Sequence, residues 1–370
     1  MQHAMIQPVS LNRILWFIFA AVTLITQNWY SFSAVLPILQ PLWNLTATQT
    51  GLIVASFQFG YVLSVLICSF FSDTHSPQKI FVLGGLLSGF SSLAFVVLAH
   101  GFYSALLLRF IVGLGMGGVF VPGVKMVSTV FPPTQRGKVV GLTVSAMSLG
   151  SGLSIFYSGL FIAWFSWQAL MICTAFGAGI GSWAVYSLGT LQIPTSKIVI
   201  STALFKRLLH KPVLLINASY MGHMWELYTM WPWIGPFMVF ALAAQGYDMQ
   251  KAAVYGNTLG GISIIIGALA TWMGGKLSDI YGRTSMILIF LAGSTICSVC
   301  IGWMVYVPVS LLTVVVIVYG FLVVGDSPIL TATVADLAEP EIMGFTLGIQ
   351  SVVGYGITIV SPAVFGMILD

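Results

Sequence analysis

Apolar residues run along this chain in long blocks, separated by short breaks that hold most of its charged residues. The blocks fall near 14–39, 51–72, 79–99, 104–130, 139–163 and 168–187, then near 212–242, 251–274, 284–303, 306–333 and 345–369. Each can cross a hydrocarbon core ~30 Å thick as a helix rising about 1.5 Å per residue. Unclosed strands are excluded, because they leave backbone N–H and C=O groups unsatisfied in lipid. The pattern predicts eleven spanning helices and an all-α integral membrane protein.

Composition supports the same class. Only 6% of the residues are charged and 58% are hydrophobic, against about 25% charged in an ordinary soluble domain. No Asp, Glu, Lys or Arg occurs between Arg13 and Asp73. The net charge of +4 is small and scattered, which excludes nucleic acid as a partner. "LNRILWFIFAAVTLI" has the look of a secretory signal flanked by Arg13, but the run continues to Leu39 without a small-residue cleavage site. It reads as an uncleaved first span. Cys68 and Cys173 stand alone, and Cys297 and Cys300 form a CxxC with no second ligand pair, so neither a metal site nor a cofactor is expected. No Gly-rich phosphate loop with Lys-Ser/Thr and no Ser-His-Asp set at an aqueous helix end occurs. The chain reads as neither an enzyme nor an ATP-driven pump.

The basic residues give the orientation. If the spans alternate, Arg13, Lys79, Arg136, Lys138, Lys197, Lys206, Arg207, Lys211, Lys276 and Arg283 share one side, and only Lys251 falls on the other. The positive-inside rule makes the first side cytoplasmic, with the N-terminus, in an inner or plasma membrane. "FPPTQRGKVVGL" (131–142) overlays "AEPEIMGFTLGI" (338–349), matching Pro133 with Pro340, Gly137 with Gly344 and Gly141 with Gly348. "FSD" at 71–73 overlays "LSD" at 277–279 at nearly the same shift. Such a repeat predicts two related bundles, 1–187 and 212–370, joined by a cytoplasmic linker at 188–211 with an amphipathic helix around Ala203–His210. By the repeat, a twelfth span is expected beyond Asp370, so the second bundle is read as truncated.

Between the eighth and ninth blocks the chain reads "GKLSDIYGR", with Gly275, Asp279, Gly282 and Arg283 at fixed offsets. The loop after the second block, "SFFSDTHSPQK", keeps Asp73 but has Ser69 in place of the glycine and lacks the Gly-Arg. The fourth block contains "RFIVGLGMGG", an Arg-x-x-x-Gly-x-Gly through Arg109, Gly113 and Gly115, followed by "PTQRG" at 133–137. In these residues the chain resembles the major facilitator superfamily over essentially its whole length. The resemblance implies two six-helix bundles related by a parallel repeat, here with eleven spans, and secondary transport by alternating access. It also implies a gating role for Asp73, Asp279, Gly282 and Arg283. Loop charges able to pair with the other half in one rocked state give that role a physical basis; simple topological anchoring is the alternative. Gly113, Gly115, Gly117 and Gly118 serve close helix packing or sliding. The family's antiporter signature expects a Gly-Pro pair in span five, which "SLGSGLSIFYSGLF" (148–161) lacks.

Charged groups in the hydrocarbon core are costly and usually face a cavity. In "SYMGHMWELYTMWPW" (219–233), His223 and Glu226 lie about 17 and 21 Å from Pro212 at the inner face. Gln27 and Asn28 of "TQNWY" lie about 20 Å from Ile14. The first and seventh spans line the cavity in the resembled family. Gln27, Asn28, Tyr30, His223, Glu226 and Tyr228 are therefore expected to meet a solute. The alternative is that His223 and Glu226 pair with each other or with a neighbouring Tyr and fix packing. Trp29, Trp225, Trp231 and Trp233 are expected to line the cavity, with interfacial anchoring the alternative for Trp231 and Trp233. Arg109 and Lys125 lie about 160° and ~24 Å apart on one helix, so they are not one site. Lys125 is read as snorkelling inward, while Arg109 divides between snorkelling and function. Asp326, before Pro328 in "GDSPIL", either caps the resuming helix or takes a proton.

The function expected from these residues is secondary active transport of a small organic solute, coupled to protons through Glu226 and His223, with Arg109 and Asp326. Desolvation disfavours an ionised carboxyl, which lets Glu226 load and release a proton as the cavity changes sides. An uncoupled facilitator or effluxer is the alternative within transport. A transport-inactive receptor or scaffold is the alternative outside it. A nitrate-type porter wants arginines deep in spans two and eight, and both lack them. The partners expected are the solute, a proton and the lipid bilayer, with the chain acting as a monomer.

Overall fold

The computed structural model describes residues 10–132, 136–191, 211–337 and 343–370. The linker helix expected around Ala203–His210 lies outside them, as do residues 133–135. The described residues are helical throughout, without strands. The first half holds α1 (Leu11–Leu42), α2 (Ala47–Thr74), α3 (Pro77–Leu98), α4 (Phe102–Val130), α5 (Arg136–Phe156), α6 (Ser158–Trp164) and α7 (Trp167–Tyr186). The second holds α8 (Lys211–Ala244), α9 (Met249–Tyr281), α10 (Arg283–Ile301), α11 (Val309–Gly325), α12 (Ser327–Leu337), α13 (Met343–Ile357) and α14 (Ser361–Leu369). Eleven stretches among them are long and apolar enough to cross a membrane. The expected all-α membrane architecture is therefore present, with α5 and α6, α11 and α12, and α13 and α14 each forming one broken span.

Local chemistry explains the ends and the breaks. Ser10 Oγ accepts from Arg13 N at 3.4 Å at the start of α1, and Ser166 Oγ from Ala169 N at 3.2 Å at the start of α7. Asp248 Oδ1 accepts from Lys251 N at 3.0 Å and caps α9. Gly282, at φ +89°, makes the sharp turn from α9 into α10 that a side chain would strain. The tenth span breaks before Pro328 as its sequence suggests. The break in the fifth span at Tyr157 was not legible in the same way. There Thr258 Oγ1 on α9 donates to the Phe156 carbonyl at 3.3 Å, so a neighbouring helix replaces part of the backbone bonding.

Within the first half, α1 packs on α5 and α7, α2 on α4, and α3 on α4 and α7. Within the second, α9 packs on α8 and α11, and α10 on α11. A Cβ on Gly113 would run into the Phe57 carbonyl of α2, and one on Gly115 would lie 2.5 Å from Ser88 N of α3. Packing is therefore what these glycines do in α4. Large apolar side chains such as Phe90, Trp183 and Ile296, each more than 60% exposed, point outward from the helices to meet lipid.

The halves meet through α1 with α8, α9 with α5 and α6, and α14 with α2. One end of the molecule is basic, carrying Arg13, Lys79, Lys276 and Arg283. At the opposite end the halves are fastened. Gln250 Nε2 donates to the Ala163 carbonyl at 2.9 Å and Asn257 Nδ2 to the Ala34 carbonyl at 3.1 Å. The Asp370 carboxylate accepts from Ala47 N at 2.7 Å and Thr48 N at 2.8 Å, capping α2 from across the interface.

Candidate functional site

Six aromatic side chains meet where α1 and α2 face α8 and α13. Trp29 lies 4.7 Å from Tyr61 and 6.2 Å from Tyr228, ring centre to ring centre. Tyr30 lies edge-on to Trp231 at 5.8 Å. Tyr355 closes the set, 5.2 Å from Tyr61 and 5.8 Å from Tyr228. Tilted and edge-on rings at these separations attract one another, so the junction both seals and lines the boundary between the halves. Trp29 Nε1, Tyr30 Oη and Trp231 Nε1 are buried there without a hydrogen bond of proper geometry. Trp231 and Trp233 are 3% and 8% exposed, so neither is an interfacial anchor; Trp225, at 37%, is the outward one.

The other residues singled out in the first span turn elsewhere. Gln27 Oε1 accepts from the Tyr157 hydroxyl at the α5–α6 break. Asn28 Nδ2 donates to Ser88 Oγ at 3.4 Å, inside the first half. Arg109 does not snorkel. It is 2% exposed, and its Nη1 and Nη2 donate to the carbonyls of Asn28 at 2.8 Å and Trp29 at 2.6 Å. Its guanidinium also lies over the Phe57 ring at 4.5 Å. The arginine thus fixes the stretch of α1 that carries Trp29 and Tyr30.

In the second half, the pairing of His223 with Glu226 is corrected by geometry. His223 Nδ1 stands 2.8 Å from Asp326 Oδ1, both nearly fully buried. One turn along α8, Glu226 points to α10, where Ser294 Oγ donates to its Oε2 at 3.0 Å. Positions i and i+3 lie about 60° apart around a helix, enough to send the two side chains to different neighbours. Asp326 accordingly meets an imidazole with its carboxylate instead of capping α12. Its backbone carbonyl takes Leu330 N at 2.9 Å. Tyr220 stacks on His223 at 5.8 Å, and a Cβ on Gly354 would strike Tyr220. This places the His–Asp pair beside the Tyr355 side of the junction. Tyr30 and Tyr228 therefore meet at one junction with His223 near it, while Asn28 and Glu226 are bonded within their own halves.

The loop charges also stay within one half. Arg283 Nη1 lies 3.2 Å from Asp279, its Nε donates to Asp336 Oδ2 at 3.0 Å, and its Nη1 to Ser278 Oγ at 3.0 Å. The link ties the α9–α10 turn to the end of α12. The Asp73 side chain lies outside the described residues. Among the described residues no cluster of His, Cys, Asp and Glu is able to hold a metal ion. Tyr61 and Tyr355 went unnoticed in the sequence, although each is a lone hydroxyl-bearing ring within a span. Asp336 was masked by its position beside the loop.

Comparison with known proteins agrees with this architecture. The profile of the Major Facilitator Superfamily matches residues 18–362. A hexuronate transporter of Bacillus subtilis is 26% identical over 96% of this chain and 87% of its own length. A probable sulfoacetate transporter of Cupriavidus necator is 22% identical over 92% of this chain and 83% of its own length. Among solved structures, a bacterial homologue of the human lysosomal transporter Spinster, in an inward-facing and unoccupied conformation, superposes with a TM-score of 0.80. It is 14% identical, covering 96% of this chain and 82% of that one. With eleven apolar spans, an all-helical fold and a family match along nearly its entire length, the chain belongs to the major facilitator superfamily and is a multi-pass membrane transporter, not an enzyme.

Proposed function

We propose that this transporter moves a small organic solute by alternating access, coupled to a proton, with bundles 1–187 and 212–370 rocking about the aromatic junction. The observation that carries the reading is the buried pair of His223 and Asp326, 2.8 Å apart beside that junction. Ionisable groups at such depth are costly and mark ion pathways. His223 Nδ1 and Asp326 Oδ1 are in charge contact, and neither Asp326 Oδ1 nor His223 Nε2 has a hydrogen bond of proper geometry, so both stand open to a proton. An imidazole facing a carboxylate at that depth is suited to take up a proton on one side and release it on the other. Tyr30, His223 and Tyr228 touch the solute in this reading, while Gln27 is held back by Tyr157. Asn28 and Glu226 support it one layer back, and Arg109 holds α1 in place.

The excess of Lys and Arg at the basic end supports a cytoplasmic N-terminus in the plasma membrane. The fastened end then faces outward. Asp279, Gly282 and Arg283, with Asp73 of the matching loop, act as the inner gate. The relatives named for hexuronate and sulfoacetate support a small organic solute.

The test uses the purified full chain in proteoliposomes with an inside-alkaline gradient, offered labelled hexuronates, sulfoacetate and neutral sugars. Gradient-driven accumulation of at least one is expected. Asp326→Asn and His223→Gln should lose accumulation and keep counterflow exchange. Accumulation that survives collapse of the pH gradient would remove the coupling, and absence of flux with every solute would favour the receptor reading.

A further inference from the structure

We infer that the solute of this junction is an organic anion whose carboxylate or sulfonate is held by Arg109 together with the indole and phenol donors of Trp29 and Tyr30. This rests on the transport reading above and names the class of solute for the same site.

Charge accounting leads to it. Arg109 is 2% exposed at the depth of Trp29 and Tyr30, yet none of the described carboxylates pairs with it. The sequence explains why. Asp73 is the sole acidic residue among positions 1–187. It lies sixteen positions along α2 from Phe57, the ring beneath the guanidinium, which is ~24 Å of helix. The buried acids of the second half are already engaged, Asp326 with His223 and Glu226 with Ser294. Carbonyl oxygens and the Phe57 face solvate the guanidinium without neutralising it. A buried charge in that condition is strongly unfavourable unless something supplies its counter-charge.

The buried side-chain atoms left without a hydrogen bond here are of both signs, with Asn28 Oδ1 and Gln58 Oε1 as acceptors beside a set of donors. Trp29 Nε1, Trp231 Nε1 and Arg109 Nε are donors only, and each is buried without a hydrogen bond. Tyr30 Oη lies beside Trp29 Nε1 without a hydrogen bond of proper geometry, and it too can donate. A neutral solute would satisfy the donors and leave the positive charge uncompensated. A cation would add a like charge. A carboxylate or sulfonate answers both at once, with bonds made stronger by its charge. Arg109 contributes through its field and its Nε, since Nη1 and Nη2 are held by α1.

The experiment is a thermal-shift and indole-fluorescence titration of the full chain in detergent. The probes are glucuronate and methanesulfonate, each set against its uncharged amide, glucuronamide and methanesulfonamide, with choline as a cation. The expected result is stabilisation by at least one anion and not by its amide. Trp29→Phe keeps the ring and removes the N–H, and should raise the half-saturating anion concentration about tenfold. Arg109→Gln should abolish the response. Because that variant also loses its bonds to α1, Trp29→Phe and Trp231→Phe keep the test decisive. Equal response to the amides, a response to choline alone, or none to either anion overturns the inference. Anion binding that no pH gradient drives into vesicles leaves this site standing and removes the proton coupling. Gradient-driven uptake of a neutral sugar does the reverse.

Discussion

At the scale of single residues, the interior separates side chains that hold the helices from side chains left open. Arg109 is of both kinds, with Nη1 and Nη2 holding α1 and Nε left open. Each of its two bonds is a charged donor on a carbonyl, worth roughly 1.5–3 kcal/mol. Arg109→Gln, which loses both, is therefore expected to lower stability by about 3–6 kcal/mol. Arg109→Lys should recover only part of that, since an ammonium cannot fork to two carbonyls. Thermal unfolding midpoints in detergent measure both, and an unchanged midpoint for Arg109→Gln contradicts the assignment. Glu226 provides a contrast with Asp326. Its bond to Ser294 survives Glu226→Gln, so that variant should retain most gradient-driven accumulation where Asp326→Asn retains none. Vesicle uptake under one imposed gradient compares them, and the opposite ranking would move the proton site to Glu226.

At the scale of helices, close approach decides the layout. α4 presents Gly113 to the backbone of α2 and Gly115 to that of α3, so no side chain separates these helices. Gly113→Val must push α2 away and, with it, Tyr61 and the rim of the junction. Overpacking of this kind costs roughly 1–3 kcal/mol. Reduced expression and a broadened gel-filtration peak are expected, and a normal peak with normal transport would show that α2 and α4 tolerate separation. Gly282→Ala should cost about 1 kcal/mol through its positive φ alone.

At the scale of the whole molecule, the two halves are joined by an aromatic junction near mid-depth and by hydrogen bonds at the end opposite the basic one. Asp370 is the clearest of these fasteners. Thr48, through its hydroxyl and backbone N–H, holds the Asp370 carboxyl down at about 2, against an ordinary 3.8. A depressed value means that the contact is at full strength above 3.8 and is lost as pH falls through about 2. A change in transport at pH values well above 3.8 therefore does not belong to this clasp. Asp370→Asn, combined with Gln250→Ala, should loosen the fastened end. A reporter cysteine at Ala253→Cys, in a background without native cysteines, should then label faster from that side. Unchanged labelling would mean that helix packing alone keeps the end shut.

By itself the sequence determined the class of the protein, its eleven spans, its family and the depth of its polar groups. These depend on hydrophobicity, repeat spacing and helical rise, which are properties of the chain read in order. It also marked Arg109, His223, Glu226 and Asp326 as costly where they stand. Only the tertiary structure decided their partners. Whether His223 meets Glu226 or Asp326 depends on how α8 is rotated against α10 and α11, a choice made by packing that leaves no local pattern. The same holds for Tyr61 and Tyr355, which are unremarkable rings in their own spans until α2 and α13 bring them to Trp29 and Tyr228. Depth within the membrane is encoded along a helix; the face a residue turns to a neighbour is settled between helices.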